Sequence, residues 1–299
     1  MITTTHLSRR RFLQQSTLLG ASLVVPWAAG RAEEVAPPGL AVAKGGTPAT
    51  NCLAAVAALG GFSRFVHPGD KVVIKANVFG IRPPEEAICT HPEMVAAAVK
   101  ACREAGAAQV LVVSHDPQRS FTSTGTLAAV EAVGGSCDAI GERGQYREVP
   151  VPRGNLLKKE LIAIAVLEAD VFINMPIVKQ SHEVEMSTAL KNLMGVNWDR
   201  MRFHRTNLNQ GIAELTGVVR HDLIIADANH VLLSGGPMGP GEVWKAGQVV
   251  AGIDPVAVDA FAARYLKRTP EGIPAVRIAH ELGIGSMDLS RLRIVEVTA

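Results

Sequence analysis

Short apolar runs rich in β-branched residues recur along this chain at intervals long enough to hold a helix, which limits the folds open to it. The runs are Lys71–Asn77, Gln109–Ser114, Asp170–Asn174, His221–Asp227, Gln248–Ile253 and Leu292–Val297. Each is too short for a buried helix and too uniformly apolar for a strand with one wet face. Between them lie segments with helix signals. Asn51 opens a helix that Gly60-Gly61 ends. Thr90-His91-Pro92-Glu93 reads as a capping box with proline in the first turn, and Gly106 stops that helix. Asn207–Val219 carries Leu208, Ile212, Leu215 and Val219 on one stripe. Asp254-Pro255 reads as N-cap and N1 of a helix reaching about Lys267, and Ile273–Leu282 is a last helix. Strands alternating with helices predict an α/β fold, with a mainly parallel central sheet and helices on both faces. Prolines 150 and 152 keep the segment around Val149 out of the sheet centre. Residues 51–299 form a single α/β domain in this reading. Residues 33–50, rich in Pro, Gly and Ala, read as an extended linker.

The N-terminus addresses compartment. Ser8-Arg9-Arg10-Arg11-Phe12-Leu13 has the twin-arginine export pattern, followed by an uncharged apolar region from Leu18 to Ala29. Small residues at Ala28-Ala29-Gly30-Arg31-Ala32 suit cleavage after residue 30 or 32. The apolar run is short for a membrane span, so no stable span is expected after cleavage. A twin-arginine signal peptide over residues 1–32 implies the export machinery as a partner and a periplasmic or extracellular destination. Its loss removes four arginines and no acids. Lys+Arg then falls from 30 to 26 against 28 acids, and the formal charge moves from +2 to −2. That balance, with only 4% aromatics, argues against a nucleic-acid partner. The cysteines, Cys52, Cys89, Cys102 and Cys137, form no C-x-x-C, which leaves iron–sulfur and zinc-ribbon sites without support. They read as buried or unpaired thiols.

Polar residues gather at the carboxyl ends of the apolar runs. Lys75 and Asn77 end one, Ser114, His115 and Asp116 the next, and Asn174 with Lys179 a third. Asp227 and Asn229 end a fourth, and Asp254 a fifth. Ligands of open parallel sheets bind at these ends, so the five clusters are expected to share one crevice. The densest stretch is Asn174–Gly195. Its Lys179, His182, Lys191 and Asn192, with His204 beyond, are the candidate catalytic residues. Histidines titrate near neutral pH, and lysines neutralise anions. Thr188, Lys191 and Asn192 share one helical face, with Leu190, Leu193 and Met194 on the apolar side. Lys75 and Asn77, with Gly236 and Gly241 of a glycine-rich loop, are the candidate cofactor-binding residues. Asp227, Asp254, Asp259 and His115 offer hard or borderline ligands for a divalent metal ion. Capping alone would also account for Asp254, and Asp259 either faces the cleft or pairs with Arg264. No nucleophile elbow and no H-E-x-x-H is present.

These residues also carry a family resemblance. Asn174-Met175-Pro176-Ile177-Val178-Lys179-Gln180-Ser181-His182 and Thr188-Ala189-Leu190-Lys191-Asn192-Leu193-Met194-Gly195 resemble the domain-of-unknown-function 362 family. Asp227-Ala228, Gly236-Pro237 with Gly241, Asp254-Pro255-Val256-Ala257-Val258-Asp259, Lys75-Ala76-Asn77 and Thr90-His91-Pro92 agree with it. The resemblance covers about residues 70–297. It implies no defined activity and assigns no catalytic roles. Some members of that family carry ferredoxin-like cysteine clusters, which this chain lacks, and others are exported by the twin-arginine route.

The expected function is an exported, metal-assisted enzyme acting on a small anionic molecule at the carboxyl ends of the strands. Two alternatives stay open. One is a periplasmic small-molecule or cofactor-binding protein without turnover. The other is a redox partner of an iron–sulfur protein.

Overall fold

The computed structural model describes residues 39–299. Thirteen strands follow in chain order: β1 (Leu40–Lys44), β2 (Lys71–Ala76), β3 (Gln109–Ser114), β4 (Ser136–Ala139), β5 (Tyr146–Pro150), β6 (Lys159–Ala163), β7 (Val171–Met175), β8 (Ile177–Ser181), β9 (Glu185–Ser187), β10 (Leu223–Leu232), β11 (Val243–Trp244), β12 (Gln248–Gly252) and β13 (Ile294–Thr298). The central sheet runs β13-β1-β12-β10-β7-β2-β3-β4. Its pairings are parallel from β10 through β7, β2 and β3 to β4, and again between β1 and β13. β12 alone reverses, lying antiparallel to both β1 and β10.

Side-chain alternation sends each strand's residues into two separate cores. Val72, Ile74, Val110, Val112, Val171 and Ile173 meet the helices Pro48–Ala58 and Pro92–Glu104 on one face. Val73, Val113, Phe172, Ile224 and Ala226 meet Leu208–Thr216, Pro255–Ala262 and Pro274–Glu281 on the other. All five residues of β7 are buried, as expected of a strand covered on both sides. The α/β class, the mainly parallel sheet and the two helical layers agree with the sequence-based expectation.

Four local expectations need correction. Residues 40–44 and 48–50 are not linker, and the first helix runs Pro48–Ala58 with Thr47, not Asn51, as its N-cap, because the Thr47 hydroxyl accepts from the Thr50 amide. Leu40, Ala41, Val42 and Ala43 are fully buried in β1, between β12 and β13, while residues 33–38 and the signal segment lie outside the described residues. The run Leu-Ala-Val-Ala is a strand whose small residues suit a tightly covered position, and the flanking Pro and Gly masked it. The capping box at Thr90 does not form. His91 is the N-cap of Pro92–Glu104, and the Thr90 hydroxyl instead donates to the Met175 carbonyl at 2.7 Å and accepts from the Asn77 amide at 3.1 Å. The expected strand at His221–Asp227 runs on to Leu232, and Asp227 lies in its middle. Asn174–Gly195 holds more than a strand end and a helix: β8 and β9 pair as a hairpin before the short helix Ala189–Asn192. The proline-bearing segment is β5, which pairs with β6 in a separate two-stranded sheet. The four cysteines are unpaired. Among the described residues no helix is long and apolar enough to cross a membrane.

Candidate functional site

A cavity of about 420 Å³ opens beyond the carboxyl ends of β2, β3 and β7. Its floor is cationic. Lys75 leaves the last turn of β2 on the same face as Val73, and Lys179 leaves the middle of β8. Both lysines are only 3% exposed. Lys179 Nζ donates to the Ile88 carbonyl at 2.6 Å and to Asn77 Oδ1 at 3.3 Å, and it lies 5.7 Å from the centre of the Phe79 ring. Lys75 Nζ donates to the Ala76 carbonyl and, at 3.4 Å, to Asn192 Oδ1. Lys191 Nζ donates to Ser181 Oγ at 2.9 Å. Neutral oxygens therefore hold all three ammonium groups, and among the described residues none of the three is in an ion pair.

Asn192 ties the floor together. Its Nδ2 donates to the Lys75 carbonyl at 3.0 Å and to Asn174 Oδ1 at 2.8 Å, while its Oδ1 accepts from Asn77 Nδ2 at 3.2 Å. Asn174 Nδ2 in turn donates to the Ala189 carbonyl at 2.9 Å. The helix bearing Lys191 and Asn192 is a single turn, so its orientation must come from outside. Asp259 supplies it: its carboxylate accepts from the Ala189 amide at 2.7 Å and the Leu190 amide at 3.1 Å. Glycine at 195 leaves space for Lys75, since a Cβ there would lie 2.5 Å from Lys75 Cε.

The walls carry proton-transfer groups. His182 Nδ1 lies 2.6 Å from the Gly236 carbonyl, so that nitrogen bears the proton and Nε2 remains the acceptor in the neutral ring. His204 Nδ1 faces Glu183 Oε1 at 2.8 Å. Arg200 stands 3.9 Å from Asp116. Phe79, Met194, Met201, Pro237 and Met238 complete the lining.

Burial governs the charge states. It lowers Lys179 to about 7 and Lys75 to about 8, the second partly restored by Asp116. It also lowers Lys191, against the attraction of Glu183. Burial pushes Glu183 up, but its hydrogen bond to His204 and the surrounding cations outweigh this and hold it below the usual carboxylate range. The Asp259 carboxyl is pushed up to about 7 by burial, with its two amide bonds acting in the opposite sense.

The candidates from sequence divide clearly. His182, Lys191, Lys179, Asn192 and His204 all line the cavity, as do Lys75 and Asn77. Gly236 contributes backbone only. Its amide donates to Gln180 Oε1 at 2.8 Å and its carbonyl orients His182. Gly241 faces Ser234 away from the lining, and its missing Cβ permits close approach to the Ser234 carbonyl.

The four candidate metal ligands are not brought together. Asp227 accepts from the amides of His91 and Asn229 and from Asn229 Nδ2. Asp254 accepts from Val256, Ala257 and Ser286. Because β12 is antiparallel, Asp254 emerges beyond Gly252, the partner of Ile224, at the opposite end of the sheet from Lys75. Asp227 and Asn229 lie within β10, off the lining, so the expected five-strand convergence loses two of its members. Asp259 is spent on the helix amides, and Arg264 packs over Phe261 instead of pairing with it. His115 bonds Tyr146 at 3.0 Å and packs beside Trp198, and burial lowers its pKa. Among the described residues no three His, Cys, Asp or Glu side chains gather as a ligand set.

Sequence reasoning missed Arg200, Phe79, Met201 and Met238. The cation-dense segment Arg200-Met201-Arg202-Phe203-His204-Arg205, capped by Asp199, was a usable signal for the first. The apolar members carried none.

These features define an α/β protein with a cationic cavity at the carboxyl ends of its parallel strands. The chain belongs to the family described as a domain of unknown function (DUF362), whose profile matches residues 72–264. It is 28% identical over 238 residues to a thylakoid-associated protein of Synechocystis sp., covering 76% of this chain and 72% of that one. Solved structures resemble it more loosely. The lactate racemase apoprotein of Thermoanaerobacterium thermosaccharolyticum matches with a TM-score of 0.40 and 11% identity, over 68% of this chain and 53% of that one. A Thermotoga maritima protein matches with a TM-score of 0.44 and 9% identity, over 75% and 60%. The chain thus spans little more than half the length of these two structures.

Proposed function

We propose that this protein is an enzyme that binds a small anionic molecule in the cavity and moves a proton on it. One observation carries this reading: Lys75, Lys179 and Lys191 converge on one cavity without a carboxylate partner. A buried ammonium is costly unless paired, so buried Lys75 and Lys179 with half-buried Lys191 around an open space favour an anion that supplies the missing charge. Lys75, Lys179 and Lys191 neutralise the anion. His182, with Nε2 free to accept, is the first candidate for proton transfer, and the His204–Glu183 pair is the second.

The test is calorimetry with small carboxylates and phosphate esters against the wild type and Lys179→Met. Saturable binding lost in the variant supports the reading, and absence of binding by every anion sinks it. A binding protein without turnover is the second reading, favoured by the direct tie between His182 and the Gly236 backbone, which suits a positioning role equally well. His182→Gln separates the two, since an enzyme keeps affinity and loses rate. Export by the twin-arginine route, with a periplasmic or extracellular destination, is likewise proposed from residues 1–32. Replacing Arg9 and Arg10 by lysine and following the chain by cell fractionation tests it.

A further inference from the structure

Two ammonium groups lie deep in the cavity, with Lys75 and Lys179 3% exposed, while its exposed lining combines the polar His182, Glu183 and His204 with two large apolar side chains, Met201 at 53% and Met238 at 58%. Pro237, next to Met238, and Phe79, beside Lys179, add to the apolar lining. A compact hydrophilic anion, such as phosphate, would use the floor and leave this wall against water. Two large exposed methionines lining one cavity are costly to hydrate, and they form an adaptable surface for an irregular apolar body. Length agrees with this placement: 420 Å³ exceeds what a two- or three-carbon acid occupies.

We propose that the natural ligand is an amphipathic anion, with a carboxylate-sized head on Lys75, Lys179 and Lys191 and an apolar body along Phe79, Met201 and Met238. This rests on the anion-binding reading above and adds the class of ligand. The head enters first, because the cations lie at the floor. The body remains in the wider, apolar half and closes the mouth.

The experiment is calorimetry at neutral pH with acetate, butyrate, hexanoate and octanoate, and with inorganic phosphate and octanol as controls. Affinity is expected to rise about four-fold per added methylene until the chain fills the cavity. Octanol, lacking the head, binds much more weakly than octanoate. Met201→Ser with Met238→Ser flattens the rise with chain length. Both positions are exposed, so the fold is expected to persist. Lys179→Met removes binding of the whole series. Equal affinity for acetate, phosphate and octanoate overturns the amphipathic assignment and leaves the anion site standing. Octanol binding as tightly as octanoate overturns it also. No binding by any member overturns both.

Discussion

Asn192 and Lys75 are joined twice: Asn192 Nδ2 donates to the Lys75 carbonyl at 3.0 Å, and Lys75 Nζ reaches Asn192 Oδ1 at 3.4 Å. These bonds tie together sites 117 residues apart in sequence. Replacing Asn192 by leucine removes the donors to Lys75 and Asn174 and leaves those acceptors buried. The expected cost is roughly 1–3 kcal/mol in urea unfolding, with anion affinity reduced at least about tenfold. Unchanged affinity would show that the floor does not depend on this strut.

Anion affinity is expected to fall as pH rises from 7 to 9. Lys179 and Lys75 without ligand hold their protons only up to about 7 and about 8. A bound anion favours the charged amines, so binding takes up protons and is strongest where both already carry them. Calorimetry in two buffers of different ionisation enthalpy measures that uptake. Proton release on binding would contradict it.

Lys179→Met is expected to stabilise the ligand-free protein at neutral pH by roughly 1–4 kcal/mol while abolishing binding. The folded chain holds the Lys179 proton less tightly than the unfolded chain, whose amine titrates at 10.5. Between about 7 and 10.5 the unfolded state binds more protons, so this lysine makes stability rise with pH. The methionine variant should lose that part of the slope in unfolding curves. A variant less stable than wild type at pH 7 would refute it.

Asp259→Asn keeps the shape of the side chain but turns one acceptor into a donor facing an amide. The Ala189 and Leu190 amides cannot both be satisfied, and a loss of about 1–3 kcal/mol is expected. Because this carboxylate orients the turn bearing Lys191, ligand affinity falls in parallel. A variant with native affinity would limit Asp259 to stability.

Gly195→Ala places a methyl 2.5 Å from the Lys75 side chain, a flexible group that can move aside. The expected result is a weaker anion site on a fold that survives. Gly236→Ala places its methyl 1.7 Å from the Gln180 carbonyl, which is backbone and cannot yield. That variant is expected to lose more stability and to release His182 from its tether. Thermal unfolding with binding measured on both proteins separates the two effects.

Much of the sheet was legible because both of its faces are covered. Strands such as Lys71–Ala76 and Val171–Met175 then read as near-continuous apolar runs, and lysine or asparagine at their ends stands out. The cavity residues His182, Lys179, Lys191 and Asn192 were legible for the same reason, as polar groups on a segment otherwise committed to the core. Strand direction was not legible. Gln248–Gly252 looks like its neighbours, yet its reversal sends Asp254 to the far end of the sheet. The acids failed as metal candidates because a carboxylate that caps a helix turn and one that binds an ion have the same local sequence. Asp227 shows this best: beside its local partner Asn229, its other amide partner, His91, is 136 residues away and gives no local signal.

The place of β1 bears on how the molecule is assembled. Its two neighbours in the sheet come from residues 248–252 and 294–298. The first strand among the described residues therefore stays without these partners until residues 248–252 and 294–298 have been made. Such distant pairing delays loop closure and slows the final folding step. An N-terminal half made alone would present Leu40–Ala43 as an unpaired apolar strand, open to association with other chains.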